Sequence, residues 1–152
     1  MIRLCDVIAQ VESSGNAGAI RFEPATYAKI GDHRFDAAHA NCVIANRCSR
    51  GTADMILSTS WGLYQLMGFN LYARPGQVAV AAFLANPLSQ MAALDPFLAS
   101  HGHRAGEDAA WLENEASRLA FATKYNGPGE PEAYAAALLD AYKRLFQSLS
   151  AS

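Results

Sequence analysis

Leu4, Val7, Ile8 and Val11 recur at the i, i+3, i+4, i+7 spacing of one helical face and predict an amphipathic helix from about Ile2 to Glu12. Ser13-Ser14-Gly15-Asn16 stops it, with Gly15 expected to take a left-handed C-cap. From Asn16 to about Arg50 the periodicity lapses into scattered Gly, Asp, Asn, Arg and His, within which Arg21-Phe22-Glu23 and Tyr27-Ala28-Lys29-Ile30 are expected as short strands or turns. Apolar spacing returns around Trp61 to Met67, predicting a short helix, and from Gln77 to Ala85, predicting another. Asn86-Pro87 is an N-cap and N1 pair that starts a helix toward Ser100, with Pro96 inside it. After a turn at His101 to Gly106, Trp111, Glu115, Leu119 and Ala122 share one side of a helix over Glu107 to Lys124. Tyr125-Asn126-Gly127-Pro128-Gly129 breaks it, with Asn126 or Gly127 expected in the left-handed conformation. Tyr134, Leu138, Ala141, Tyr142 and Leu145 mark a last helix from Pro131 to about Leu149. The expected class is mainly α (α+β): five or more helices, with a small irregular or β-hairpin insertion after the first. Without a repeat or a linker, residues 1–152 are expected to form a single domain.

Composition narrows the function more than the fold. Of 152 residues, 51% are hydrophobic, 17% are charged and 30 are alanine, a mix that excludes disorder and favours closely packed helices. A net charge of −2 supplies no cationic surplus for a polyanion, so nucleic acid is not an expected partner. Every apolar run falls well short of the roughly 20 residues that span a bilayer, which argues against stable membrane insertion. Met1-Ile2-Arg3-Leu4-Cys5-Asp6 lacks the basic start, apolar stretch and cleavage site of a signal peptide, so the chain itself is expected to direct no export. The three cysteines cannot all pair; the spacing of Cys42 and Cys48 would permit a small bridge, and Cys5 falls on an apolar helix face. His33, His39, His101 and His103 show no standard metal spacing with them, so neither a metal nor another cofactor is expected.

Glu12 is the first candidate for chemistry. It closes an otherwise apolar helix one turn beyond Ile8, which puts its carboxylate at the edge of the buried face. Partial burial and the negative end of the helix dipole both disfavour its anion. A carboxylic acid that keeps its proton near neutral pH can give it to a leaving oxygen. The alternative is a solvated Glu at a helix end.

The surrounding strings favour the first reading. Val11-Glu12-Ser13-Ser14-Gly15-Asn16 resembles the Glu-Ser motif that ends the first catalytic-domain helix of goose-type lysozymes and soluble lytic transglycosylases. Ser60-Trp61-Gly62-Leu63-Tyr64-Gln65-Leu66-Met67 resembles their Gly-Leu-Met-Gln motif, and Lys124-Tyr125-Asn126-Gly127-Pro128-Gly129 their Tyr-Asn-x-Gly motif, in the same order. A narrower resemblance, over nearly the whole chain, is to the phage-type N-acetylmuramidase domains of endolysins. There a segment similar to Arg21-Phe22-Glu23-Pro24-Ala25-Thr26-Tyr27 follows the catalytic Glu, and Ser58 to Asn70 is close to their signature.

The resemblance implies a lysozyme-like fold with its helices around a substrate groove, and cleavage of the β-1,4 bond between N-acetylmuramic acid and N-acetylglucosamine in peptidoglycan. Glu12 would be the general acid. Glu23 is the candidate second carboxylate, ahead of Asp32, Asp36 and Asp54, because glycosidases need either a second carboxylate or an assisting substrate; its alternative is a surface Glu paired with Arg21 or Lys29. Gln65, an amide within an apolar stretch, must find partners if buried, and sugar hydroxyls or an active-site backbone group would serve. Tyr125 would place its hydroxyl near Glu12, beside Asn126. Ser60 and Ser58 either cap a helix or bond the acid or an N-acetyl group. Trp61, Tyr64, Phe69 and Tyr72 are more readily core than sugar platforms. Two other readings stay open: a lytic transglycosylase that leaves 1,6-anhydromuramoyl ends, and a non-catalytic murein-binding module. The implied partner is the peptidoglycan glycan strand and the expected state a monomer, made in the cytoplasm and acting on the wall after release by a partner system.

Overall fold

A computed structural model describes residues 1–126 and 129–151. The element order is α1 (Leu4–Ser13), β1 (Ile20–Phe22), α2 (Pro24–Tyr27), a 3-10 turn (His33–Phe35), α3 (Asp36–Asn46), α4 (Arg50–Leu57), β2 (Thr59–Trp61), β3 (Leu66–Met67), α5 (Gly68–Leu71), α6 (Val80–Ala85), α7 (Pro87–Ala99), a second 3-10 turn (Ala109–Glu113), α8 (Glu115–Tyr125) and α9 (Pro131–Ser150). The fold is mainly helical with one small antiparallel sheet, the α+β class expected of a lysozyme-like chain. The chain divides into two compact units, Met1–Gly15 with Leu94–Ser152, and Asn16–Ala93.

In the first unit α1 and α8 both pack on α9. Leu4, Val7 and Ile8 of α1, Phe121 and Ala122 of α8, and Leu138 and Ala141 of α9 are buried, each large aliphatic contributing about 1.5–3 kcal/mol by leaving water. The start of α1 is tied to the 105–109 loop by backbone bonds, Leu4 N–H to Glu107 O (2.9 Å), Cys5 N–H to Ala105 O (3.0 Å) and Ala109 N–H to Ile2 O (2.9 Å). Its end departs from expectation by one residue, because Ser14 (φ 53°) as well as Gly15 (φ 79°) is left-handed. Their N–H groups donate to Gln10 O and Ala9 O, satisfying carbonyls the helix leaves open. The helix predicted over Glu107 to Lys124 is two segments. Asp108 and Asn114 each turn a side-chain oxygen back onto a backbone N–H, of Ala110 (3.1 Å) and Ser117 (3.0 Å), and each restarts the chain as a new turn.

In the second unit β2 pairs antiparallel with β1, Arg21 opposite Ser60, and with β3, Ser60 opposite Met67. This corrects the helix predicted at Trp61 to Met67, which is a hairpin. Gly62 (φ 75°) and Gln65 (φ 46°) are left-handed, a conformation a helix cannot contain. Helix α3 went unpredicted because its buried positions are Ala38, His39 and Cys42, so no aliphatic stripe announces it. His39 is held by Asp54 of α4, Nε2 to Oδ1 at 2.5 Å. The helix predicted over Gln77 to Ala85 is shortened to α6. Gln90 of α7, fully buried, clamps the hairpin: its Oε1 accepts from Leu63 N–H (2.7 Å), and its Nε2 donates to Ala17 O (3.0 Å), Phe83 O (3.3 Å) and Leu84 O (3.2 Å). All three cysteines are free thiols. Burial pushes the Cys42 thiol up to about 12, with neighbouring Cys48 adding to the effect.

Candidate active site

Glu12 lies in the last turn of α1, half-buried. Tyr134, in the first turn of α9, donates its hydroxyl to Glu12 Oε1 at 2.5 Å. Burial first, then Tyr125 and Glu12, hold the Tyr134 phenol well above its ordinary pKa, so it remains a protonated donor. Tyr125, the last residue of α8, stands one ring further on, stacked on Tyr134 with centroids 5.8 Å apart and planes 15° apart. Phe121 stacks on Tyr125 in turn (5.3 Å), and Trp111 and His103 continue the series at 5.4 and 5.0 Å from Phe121. Glu107 Oε1 anchors the far end, bonded to Trp111 Nε1–H (2.9 Å) and His103 Nδ1 (2.6 Å). The rings thus fix Tyr134, and Tyr134 fixes one oxygen of the acid.

Tyr134 is the residue that sequence reasoning placed in the core and did not connect to Glu12. Its place at the N-terminus of α9, immediately after a helix-breaking segment, was the available signal. Replacing Tyr134 by Phe keeps the ring stack and removes the donor. Because a hydroxyl bond to a carboxylate favours its charged form, losing that bond lets the acid hold its proton to higher pH. The alkaline limb of the pH–rate profile for wall lysis is therefore expected to move upward in Tyr134→Phe. With looser positioning, kcat/KM should fall about tenfold; an unshifted limb would deny Tyr134 this part.

The second unit carries the other carboxylate. Glu23 precedes α2, its N–H bonded to Ser58 O (2.9 Å), and its Oε1 accepts from Arg21 Nε–H at 2.6 Å and, at the long limit of 3.5 Å, from Ser60 Oγ. Ser60, buried on β2, also meets Met67 Sδ at 3.0 Å. The sheet register brings Arg21, Glu23 and Ser60 together, so the surface pairing with Arg21 and the contact with Ser60 coexist. Neither Ser60 nor Ser58 caps a helix start as expected. Ser60 is in the sheet, and Ser58 follows the end of α4, buried and with no partner for its Oγ among the described residues.

Gln65 directs its amide to backbone, Nε2–H to Gly62 O (3.0 Å) and Ala19 O (3.3 Å), bracing the hairpin turn. Asn126 closes α8 in right-handed geometry (φ −90°), not left-handed; Gly127 and Pro128 of the same motif lie outside the described residues. Trp61 donates to Ile56 O (2.9 Å) and buried Tyr72 to Val78 O (3.1 Å), which makes both structural. Asp32, Asp36 and Asp54 are engaged by Arg34, His33 and His39.

Residues 33–146 match the family described as Muramidase: N-acetylmuramidase. The chain belongs to the N-acetylmuramidase family. Members of that family degrade peptidoglycan. The chain is also 39% identical over 142 residues to the "Endolysin" of Enterobacteria phage PRD1, which covers 91% of this chain and 93% of the relative. No solved structure matches it. The muramidase segment contains Ser60, Gln65, Tyr125, Asn126 and Tyr134, whereas Glu12 and Glu23 precede it.

Proposed function

We propose that this muramidase-family chain, acting as one lysozyme-like catalytic domain, hydrolyses the β-1,4 bond between N-acetylmuramic acid and N-acetylglucosamine, with Glu12 as general acid. The observation that carries the reading is the 2.5 Å bond from Tyr134 to Glu12 Oε1. A carboxyl group at a helix end, one oxygen pinned by a phenol and the phenol pinned by stacked rings, is positioned to deliver a proton from its other oxygen. Protonating the glycosidic oxygen as the bond breaks lowers the cost of the oxocarbenium-like transition state.

Water then captures the sugar cation, activated either by Glu23 or by Glu12 once it has lost its proton. Arg21 holds Glu23 oriented for such a role, and Ser60 adds a weaker tether. Gln65 is assigned to shaping the substrate site through the hairpin turn it braces, and Asn126 to contacting the glycan strand. The substrate is the peptidoglycan glycan strand, and the chain acts as a monomer on the cell wall after a partner system has released it there.

The bond specificity is tested by digesting purified peptidoglycan and reducing the new ends with borohydride. The expected reduced sugar is muramitol; ends recovered as glucosaminitol would place the cut on the other side of the disaccharide and refute the assignment.

A further inference from the structure

Adjoining Glu23 in sequence, the second unit holds an open cavity of about 360 Å³ lined by Ala25, Thr26, Lys29, Arg34, Phe35 and Phe69. That volume falls within the roughly 300–1,000 Å³ of small-ligand sites. Its chemistry is split in two. Phe35 and Phe69 form an apolar wall, their rings 5.3 Å apart and tilted by 53°. Lys29 and Arg34 supply two exposed cations in a chain whose net charge is −2. The Arg34 guanidinium lies 4.8 Å over the Phe35 ring and 3.4 Å from Asp32 Oδ2, a loose pairing that leaves most of its five N–H donors for another acceptor. Among the described residues, the Lys29 ammonium has no carboxylate within ion-pair reach.

Neutral sugar rings have no use for two cations. A ligand that alternates carboxylates with methyl or methylene groups uses both halves: Arg34 grips a carboxylate with paired donors, Lys29 meets another as a point charge, and the aliphatic groups rest on the rings. We propose that this cavity binds the acidic, alanine-containing stem peptide carried by the muramic acid residues. The proposal rests on the peptidoglycan reading above and names the part of that substrate which the pocket takes. It would give the chain local recognition of peptide-bearing strands that its overall charge does not supply.

The test compares wild type with Lys29→Gln and Arg34→Gln, exposed changes that leave the core untouched, on intact peptidoglycan and on glycan strands stripped of peptide by an amidase. For each variant, kcat/KM on intact peptidoglycan is expected to fall about tenfold further than on stripped strands, with the gap narrowing at high salt. Free stem peptide should shift backbone amide signals of Thr26, Lys29 and Phe69 in wild type and not in the double variant. Equal losses on both substrates would mean that the cations serve something other than the peptide, a larger loss on stripped strands that they read the lactyl carboxylate the amidase frees, and no loss on either that the cavity is idle; all three overturn the proposal. If wild type cleaves neither substrate, the hydrolase reading fails by itself, and the peptide titration alone decides: charge-dependent binding supports the pocket and its absence refutes it.

Discussion

A Glu12→Gln enzyme is expected to fold as wild type does and to lyse peptidoglycan between about a hundredfold and ten-thousandfold more slowly, the range a positioned general acid supplies. Glutamine retains an Oε1 acceptor for Tyr134, so the 2.5 Å bond and the ring stack behind it can persist. What disappears is the transferable proton. Matching thermal unfolding of the two proteins, measured beside the lysis of purified walls, separates lost chemistry from lost structure. Glu23→Gln is the informative companion. If Glu23 activates the water, its variant also loses turnover, by less than Glu12→Gln, since the bond can still be protonated. If Glu12 performs both steps, Glu23→Gln retains most activity, and the Arg21 pair is only a structural tie. Undiminished lysis by Glu12→Gln would remove the acid from the account, and a wild type that binds walls without cutting them would favour the binding-module reading.

The largest expected loss of stability comes from one methyl group. A Cβ built on Gly68 falls 2.0 Å from Ile56 O and 2.8 Å from both Ile56 C and Leu57 Cα. These are backbone atoms at the end of α4, which no rotamer change can move aside. Gly68→Ala must therefore separate α5 from α4 or unwind one of them, at a cost of roughly 3–5 kcal/mol, the upper range for single substitutions. In a chain of this size that lowers Tm by about 10 °C. Gly51, on α4 itself, is the control: a Cβ there meets nothing within 4 Å. Gly51→Ala should hold or slightly raise Tm, because Ala is the better helix former by about 1 kcal/mol. Equal Tm values for the two variants would show that the close approach at Gly68 is not realised in solution.

Where one face of a helix is aliphatic, its pattern is readable from the sequence, and α1 and α9 appear close to their expected bounds, while α7 begins where the Asn86-Pro87 pair marks a start. Pattern failed where a polar side chain did the structural work. Asp108 and Asn114 cut one expected helix in two by capping, and His39 with Asp54 holds α3 where no aliphatic stripe exists. The hairpin at Trp61 to Met67 was misread because Gln65 takes a left-handed turn that few non-glycine residues adopt, stabilised by its own side-chain bonds to Gly62 and Ala19 carbonyls. The site was legible in part for a similar reason. Glu12 and Glu23 stand out as charges interrupting apolar or aromatic surroundings, while Tyr134 looks like any core tyrosine until α9 packs on α1 and its hydroxyl finds an acid 122 positions earlier in the chain.

The central claim, that proton donation by Glu12 leads to capture by water, is tested most directly by digesting peptidoglycan in heavy-oxygen water and weighing the new muramoyl ends. The account predicts ends that each carry one heavy oxygen at the cleaved carbon, formed between about a hundredfold and ten-thousandfold more slowly in the Glu12→Gln digest. Predominantly unlabelled 1,6-anhydro ends, lighter by one water, would contradict it and make the chain a lytic transglycosylase.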